Sequence, residues 1–158
     1  MTEFVVDTNV LISANGRHTH ASLQCQLHCI EFISTYRKIT ISIDQLGLIM
    51  EEYAKHLNYS GEPGVGDEFF KYLHDYQYCD PLIHRVQIGP ETSDDSRGFQ
   101  ELPLNSMDPS DRKFLAVAVV ARAIIVNATD SDWAEQEHLL KSLNIAMREL
   151  CPDRAQRR

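Results

Sequence analysis

VVDTNVLIS, residues 5–13, runs apolar, stops on Asp7, takes a Thr-Asn step and turns apolar again. A carboxylate between two hydrophobic stretches is costly to hold unless its charge has a use. On its own the stretch leaves Asp7 three readings: a helix cap, the nucleophile of a phosphatase, or the ligand of a metal. The rest of the chain sets the fold around it and narrows the choice.

Phe4–Val6, just before Asp7, is the first of several short β runs that alternate with helical patterns. Residues 20–36 carry Leu23, Leu27, Ile30, Phe32 and Ile33 at helical spacing, which predicts a helix after the polar loop Asn15–Thr19. Residues 39–42 read as a strand. Asp44 is placed to cap the next helix, whose stripe is Leu46, Ile49, Met50, Tyr53 and Leu57. SGEPGVG (60–66) reads as a turn and lacks the Lys-Ser/Thr of a phosphate-cradling loop. A helix over 67–77, a strand over 84–88 and a long surface loop over 89–107 follow. In DPSDRKFLAVAVVARA, Asp108 stands at a cap, Pro109 at the first helical position and Asp111 three residues after the cap. Residues 124–126 form a buried strand, 132–142 a helix and 144–150 an edge strand. Strands alternating with helices imply βαβ units and a mostly parallel sheet covered on both faces.

The chain has 158 residues, 43% of them hydrophobic, and a formal charge of −8. That length supports one core, so residues 1–150 are assigned to a single domain and 151–158 to a basic tail. No apolar run approaches the ~20 residues that span a bilayer. Met1–Phe4 lacks the basic flank and apolar region of a signal peptide, so no membrane partner and a cytoplasmic location are expected. Cys25, Cys29, Cys79 and Cys151 contain no CxxC pair. Buried, reduced thiols are expected of them, rather than a zinc site shared with His20 or His28. The acidic balance argues against general wrapping of nucleic acid. It leaves room for an enzyme acting on nucleic acid, because metal-binding carboxylates also lower net charge.

In open α/β sheets, ligands bind beyond the carboxyl ends of the strands. Asp7 ends the first strand, and Asp130 and Asp132 follow residues 124–126. Asp108 and Asp111 open the helix leading into that strand, and a helix start lies on the same edge as strand ends. The five acids are therefore expected to converge. Structural roles compete for three of them: Asp108 as an N-cap, Asp111 as a capping-box acid and Asp132 as the cap of the helix after it. Glu52 is expected to face inward beside Tyr53, while Glu51 stands at ion-pair spacing from Lys55. Converging carboxylates repel, so without a cation at least one should carry a raised pKa. Asp111, in a first helical turn, is expected to stay ionised in the field of the helix dipole. Mg2+ or Mn2+ suits an all-oxygen set, and the lack of His and Cys speaks against zinc.

With these residues placed, the chain resembles a PIN domain, a family of metal-dependent ribonucleases that includes toxins of toxin–antitoxin pairs. VVDTNVLIS resembles its opening strand with Asp-x-Asn, and LIMEEYAKHL the helix carrying its Glu. DPSDRKFLAVAV resembles its Asp-x-x-Phe-Leu-x-x-Ala helix, and IIVNATDSDW its closing strand with Asp-x-Asp-aromatic. The resemblance spans nearly the whole chain. It implies a three-layer α/β/α sandwich with a mostly parallel sheet of four or five strands. It also implies Mg2+- or Mn2+-dependent hydrolysis of RNA phosphodiesters.

Catalytic roles are thereby implied for Asp7, Glu52, Asp111 and Asp130, and metal ligation for Asp7, Asp111 and Asp130 with Asp132 as a further acid. Thr8 would orient carboxylates, Asn9 would position the site, and Asp108 would be accessory. The family's Thr two residues before the fourth acid is Ala128 here, with Thr129 beside it. RNA contacts are expected from Arg17, His18, His20, Arg112, Lys113 and Trp133, although an aromatic after an acidic cluster is more often core. Expected partners are RNA, a small antitoxin and a second copy of the chain, with 89–107 as an interaction surface or a solvated loop. Two rivals stand beside this reading. A haloacid-dehalogenase-type phosphatase needs an Asp where this chain has Asn9. A PIN scaffold that binds RNA or protein without cleavage is the other.

Overall fold

The computed structural model describes residues 2–93 and 95–151. Five strands, β1 (Glu3–Val6), β2 (Thr40–Asp44), β3 (Ile83–Val86), β4 (Ile124–Asn127) and β5 (Met147–Glu149), form one sheet in the order β3-β2-β1-β4-β5. Every pairing is parallel. Between them lie α1 (Thr8–Asn15), α2 (Leu23–Ile33), α3 (Leu48–Ala54), α4 (Val65–Tyr76), α5 (Arg112–Ala121), α6 (Asp132–Glu135) and α7 (Glu137–Ser142). The chain steps from β1 to β3 in one direction, then crosses back and continues outward through β4 and β5. Right-handed crossovers put the helices of these two halves on opposite faces, which makes the α/β/α sandwich. The order reverses at β1, so loops leaving β1 and β4 part to opposite faces and open a crevice between them.

The three central strands, β2, β1 and β4, are buried on both sides, as a doubly covered parallel sheet requires. Val5, Val6, Ile43, Ile125 and Val126 are fully enclosed, along with Phe69, Phe70, Leu73 and the α5 run Phe114–Ala118. Helix α4 approaches α1 backbone to backbone at Gly66, where a Cβ would stand 2.2 Å from the Leu11 carbonyl oxygen. Asn15 of α1 fastens this contact: its Oδ1 accepts from Asp67 N (3.0 Å), and its Nδ2 donates to Asp67 Oδ1 (3.1 Å).

Several local expectations are corrected. Thr8–Asn15 is helical, so Asn15, expected in the polar loop, closes α1. Leu23 and Leu27, expected on the buried stripe of the second helix, are 72% and 50% exposed; Cys25, Cys29, Phe32 and Ile33 form its inner face. Leu46 precedes α3 and is exposed. The helix expected from Pro109 begins at Arg112, because Asp108 spends its carboxylate on the turn before it, accepting from Ser110 N (2.9 Å) and Oγ (2.7 Å). The helix expected over 132–142 is two short ones, parted at Gln136. Asp44 does cap α3: its two oxygens accept from Leu48 N (2.8 Å) and Ile49 N (2.9 Å).

The cysteine expectation also fails in part. Cys25 and Cys151 form a disulfide that ties the end of the β5 segment to α2, while Cys29 is a buried thiol and Cys79 an exposed one. The sulfurs of Cys25, Cys29 and Cys151 lie within 4.8 Å of one another. Cys151, assigned to the tail from sequence, thus belongs to the packed body. The rest of the expected basic tail, 152–158, lies outside the described residues, as does Asp94 of the 89–107 loop. Among the described residues no helix is long and apolar enough to cross a membrane.

Candidate metal centre

Asp7 leaves β1 with its N–H donating to Val126 O of β4 (3.0 Å), so it sits at the mouth of the crevice. It occupies the position before α1, yet its side chain makes no capping bond. The carboxylate instead accepts from the indole N–H of Trp133, which is buried below it.

Asp111 holds the corresponding place before α5 and also makes no side-chain capping bond. Asp130 lies in the turn after β4. One carboxylate oxygen from each of Asp7, Asp111 and Asp130 falls within a span of 4.8 Å. Asp7 and Asp111 are buried and Asp130 is half-buried. Three acids 19 to 123 positions apart in sequence thus meet at one sheet edge, where strand ends and a helix start coincide.

The turn carrying Asp130 is shaped by two asparagines. Asn127 Oδ1 accepts from Asp130 N (3.2 Å), and its Nδ2 donates to Asp130 O (2.7 Å) and Glu149 Oε2 (2.8 Å). Asn9 Nδ2 donates to Asn127 Oδ1 (3.0 Å), and Asn9 Oδ1 accepts from Ala128 N (2.9 Å) and Thr129 N (3.1 Å). Asn9 therefore joins α1 to the loop after β4 and fixes Asp7 against Asp130. Ala128 brings no hydroxyl, and its backbone N–H takes part in the clamp instead.

Glu52 faces this region and Glu51 is exposed. The Glu52 carboxylate accepts from Thr8 Oγ1 and pairs with Lys113 Nζ at 2.7 Å. It stands outside the close triad, as does half-buried Asp132, whose N–H donates to Asp130 Oδ1 (2.8 Å). Asp108 is exposed and held by Ser110. Arg112, expected to contact RNA, is buried: its guanidinium donates to Asn105 Oδ1 (2.9 Å), Asn105 O (3.1 Å) and Asp95 O (2.7 Å), bracing the 89–107 loop. Trp133 is enclosed, so it offers no stacking surface. Arg17, His18 and His20 are exposed and follow the C-terminal end of α1.

Burial dominates the electrostatics. It raises the Asp7 carboxyl to about 7, with the Trp133 hydrogen bond opposing and Asp130 and Glu52 adding repulsion. Burial likewise raises Asp111 to about 8, reinforced by Asp7, Asp130, Asp108 and Asp132. The expected dipole-stabilised anion at Asp111 is thus corrected, since four neighbouring carboxylates and desolvation outweigh one helix terminus. Asp108 is lowered by its bonds to Ser110.

Trp133 as donor to Asp7, Asn127 as organiser of the turn and Glu149 as its outer partner are absent from the sequence-derived site. Asn127, at a strand end before a polar turn, carried a local signal; Glu149 carried none. Crowded carboxylates that resist ionisation fit a hard divalent cation, which removes both desolvation and repulsion with oxygen ligands alone. The sequence matches no protein-family model and no curated protein.

Proposed function

We propose that this chain is a Mg2+- or Mn2+-dependent ribonuclease of PIN-domain type, with Asp7, Asp111 and Asp130 as the metal-holding acids. The observation that carries the reading is the convergence of those three carboxylates in the crevice where the strand order reverses. A bound divalent cation supplies charge neutralisation and water activation for in-line attack on a phosphodiester. The chain's own contribution is placement. Trp133 fixes Asp7, Asn9 and Asn127 fix the turn of Asp130, and Thr8 orients Glu52. Glu52 lies at the rim as a fourth acid, able to accept a proton once Lys113 is drawn toward an incoming phosphate. Asp132 and Asp108 add negative potential that favours the cation.

As part of the same reading, the protein works in the cytoplasm, its substrate is RNA, and a small antitoxin covers the crevice. A second copy of the chain would use the exposed pair Leu23 and Leu27. Co-expression with the neighbouring reading frame and the mass of the purified species test these partners. The Glu52–Lys113 ion pair favours the rival in one respect, since it occupies the fourth acid as a binding scaffold without cleavage would.

Cleavage of structured RNAs with Mn2+ decides between them. Asp7→Asn and Asp111→Asn are each expected to lose more than ~100-fold, beyond the usual cost of losing an outer-shell partner. Equal residual activity in wild type and both variants would sink the enzyme reading.

A further inference from the structure

The far end of α1 opens on a pocket of about 320 Å³ whose lining includes Asn15, Arg17, His18, Lys55, His56 and Asp67. It is separate from the carboxylate crevice. Helix α1 runs from Thr8, at the crevice, to Asn15, at the pocket, a length of roughly 10 Å. Lys55 follows the last turn of α3, three residues beyond Glu52. Two helices that begin or pass at the acids therefore end at this pocket.

Its charge is opposite to that of the chain as a whole. Against a formal −8, four nitrogenous side chains gather here, Arg17, His18, Lys55 and His56, all exposed. Among the described residues none of the four makes a side-chain hydrogen bond or ion pair. Elsewhere Lys71, Lys113 and Lys141 are each matched with Asp75, Glu52 and Glu137. The single acid in the lining, Asp67, is buried, and its oxygens are taken by Asn15 Nδ2, Asn58 N (2.9 Å) and Gly64 N (3.0 Å). His18 holds a left-handed backbone (φ 54°), a conformation uncommon for a residue with a side chain, right after Gly16 ends α1.

We infer that this pocket is a phosphate subsite for RNA, holding a backbone phosphodiester a few nucleotides from the scissile bond. The inference rests on the ribonuclease reading for its ligand, and on the unpaired cations for its location. An acidic protein that cleaves RNA needs local positive charge to hold a chain its own net charge repels. Phosphate contacts of this kind fix register and carry no sequence information. Arg17 offers a bidentate fork and Lys55 a point charge, while His18 and His56 donate from the sides.

The test is binding, kept apart from cleavage. A fluorescent single-stranded RNA is titrated onto Asp7→Asn protein, with and without Arg17→Ala/Lys55→Ala, over a range of salt. Removing the charges that neutralise this one phosphate is expected to weaken binding roughly tenfold at low salt and to reduce the salt slope by about 0.7. Lys38→Ala/Arg122→Ala removes the same charge elsewhere and is expected to change binding little. Inorganic phosphate should compete with the RNA at the intact pocket and lose that effect in the Arg17/Lys55 variant. Equal losses in the two double variants, an unchanged salt slope, or no RNA binding by the parent would overturn the subsite. If pocket-dependent binding persists while wild type cleaves nothing with Mn2+, the subsite stands and the nuclease reading falls.

Discussion

Asp7 and Asp111 keep their protons to about 7 and about 8, far above an ordinary aspartate, because each is buried among other acids. In the unfolded chain both ionise near pH 4. Between those limits the folded state binds more protons than the unfolded one, so stability falls as pH rises from about 4 to about 8. Replacing either acid with Asn removes that cost. At pH 8 without divalent cation, Asp111→Asn should unfold at a higher temperature than wild type, by the equivalent of roughly 2–4 kcal/mol. At pH 4 the two should melt together. A carboxylate whose loss stabilises the protein is one kept for a purpose other than folding. Asn9→Ala should act differently, freeing the Asp130 turn and costing about 10–100-fold in metal affinity, read by titration. The acids were legible in the sequence because each stands where an apolar strand ends or a helix begins. The Trp133 bond to Asp7 was not, since it joins residues brought together only by the finished sheet.

At the scale of elements, the site depends on where α1 points, and α4 holds α1 at a glycine. Gly66→Ala should force the two helices apart and cost about 1–3 kcal/mol in chemical denaturation, with Mn2+ affinity reduced as Asp7 shifts. An unchanged midpoint would show the contact to be loose. Strands β1, β2 and β4 were readable from their apolar runs, and α4 from its periodic Phe69, Phe70 and Leu73. Where helices begin was less readable. Pro109 signals a first helical turn, but Asp108 binds Ser110 and delays α5 to Arg112, which leaves Asp111 at the helix entrance with its carboxylate free of the cap. The exposed Leu23 and Leu27 show the same limit: helical spacing names a face, and packing decides which face is buried.

For the whole molecule, the Cys25–Cys151 disulfide closes a loop of 126 positions and fastens the last strand to α2. Loop-closure entropy across such spans stabilises by about 5 kcal/mol, and a reducing cytoplasm opens such bonds. Thiol-reduced protein should melt several degrees below the oxidised form, with Cys25→Ser matching the reduced one; identical melting in all three would show that the bond contributes nothing. Spacing could not reveal this pair, because only the β4–β5 return brings Cys151 onto α2. The alternating order of strands and helices, by contrast, was enough to place the crevice, since strand ends and helix starts share an edge in any βαβ chain.

On the proposed reading, Asp7, Asp111 and Asp130 form one divalent-metal centre. Calorimetric titration of Mn2+ at pH 7.5, repeated in buffers of different ionisation enthalpy, tests it most directly. Saturable binding should release protons from the Asp7–Asp111 pair, and both binding and release should be lost in Asp111→Asn. No saturable binding, or the same binding and proton release in wild type and Asp111→Asn, would contradict it.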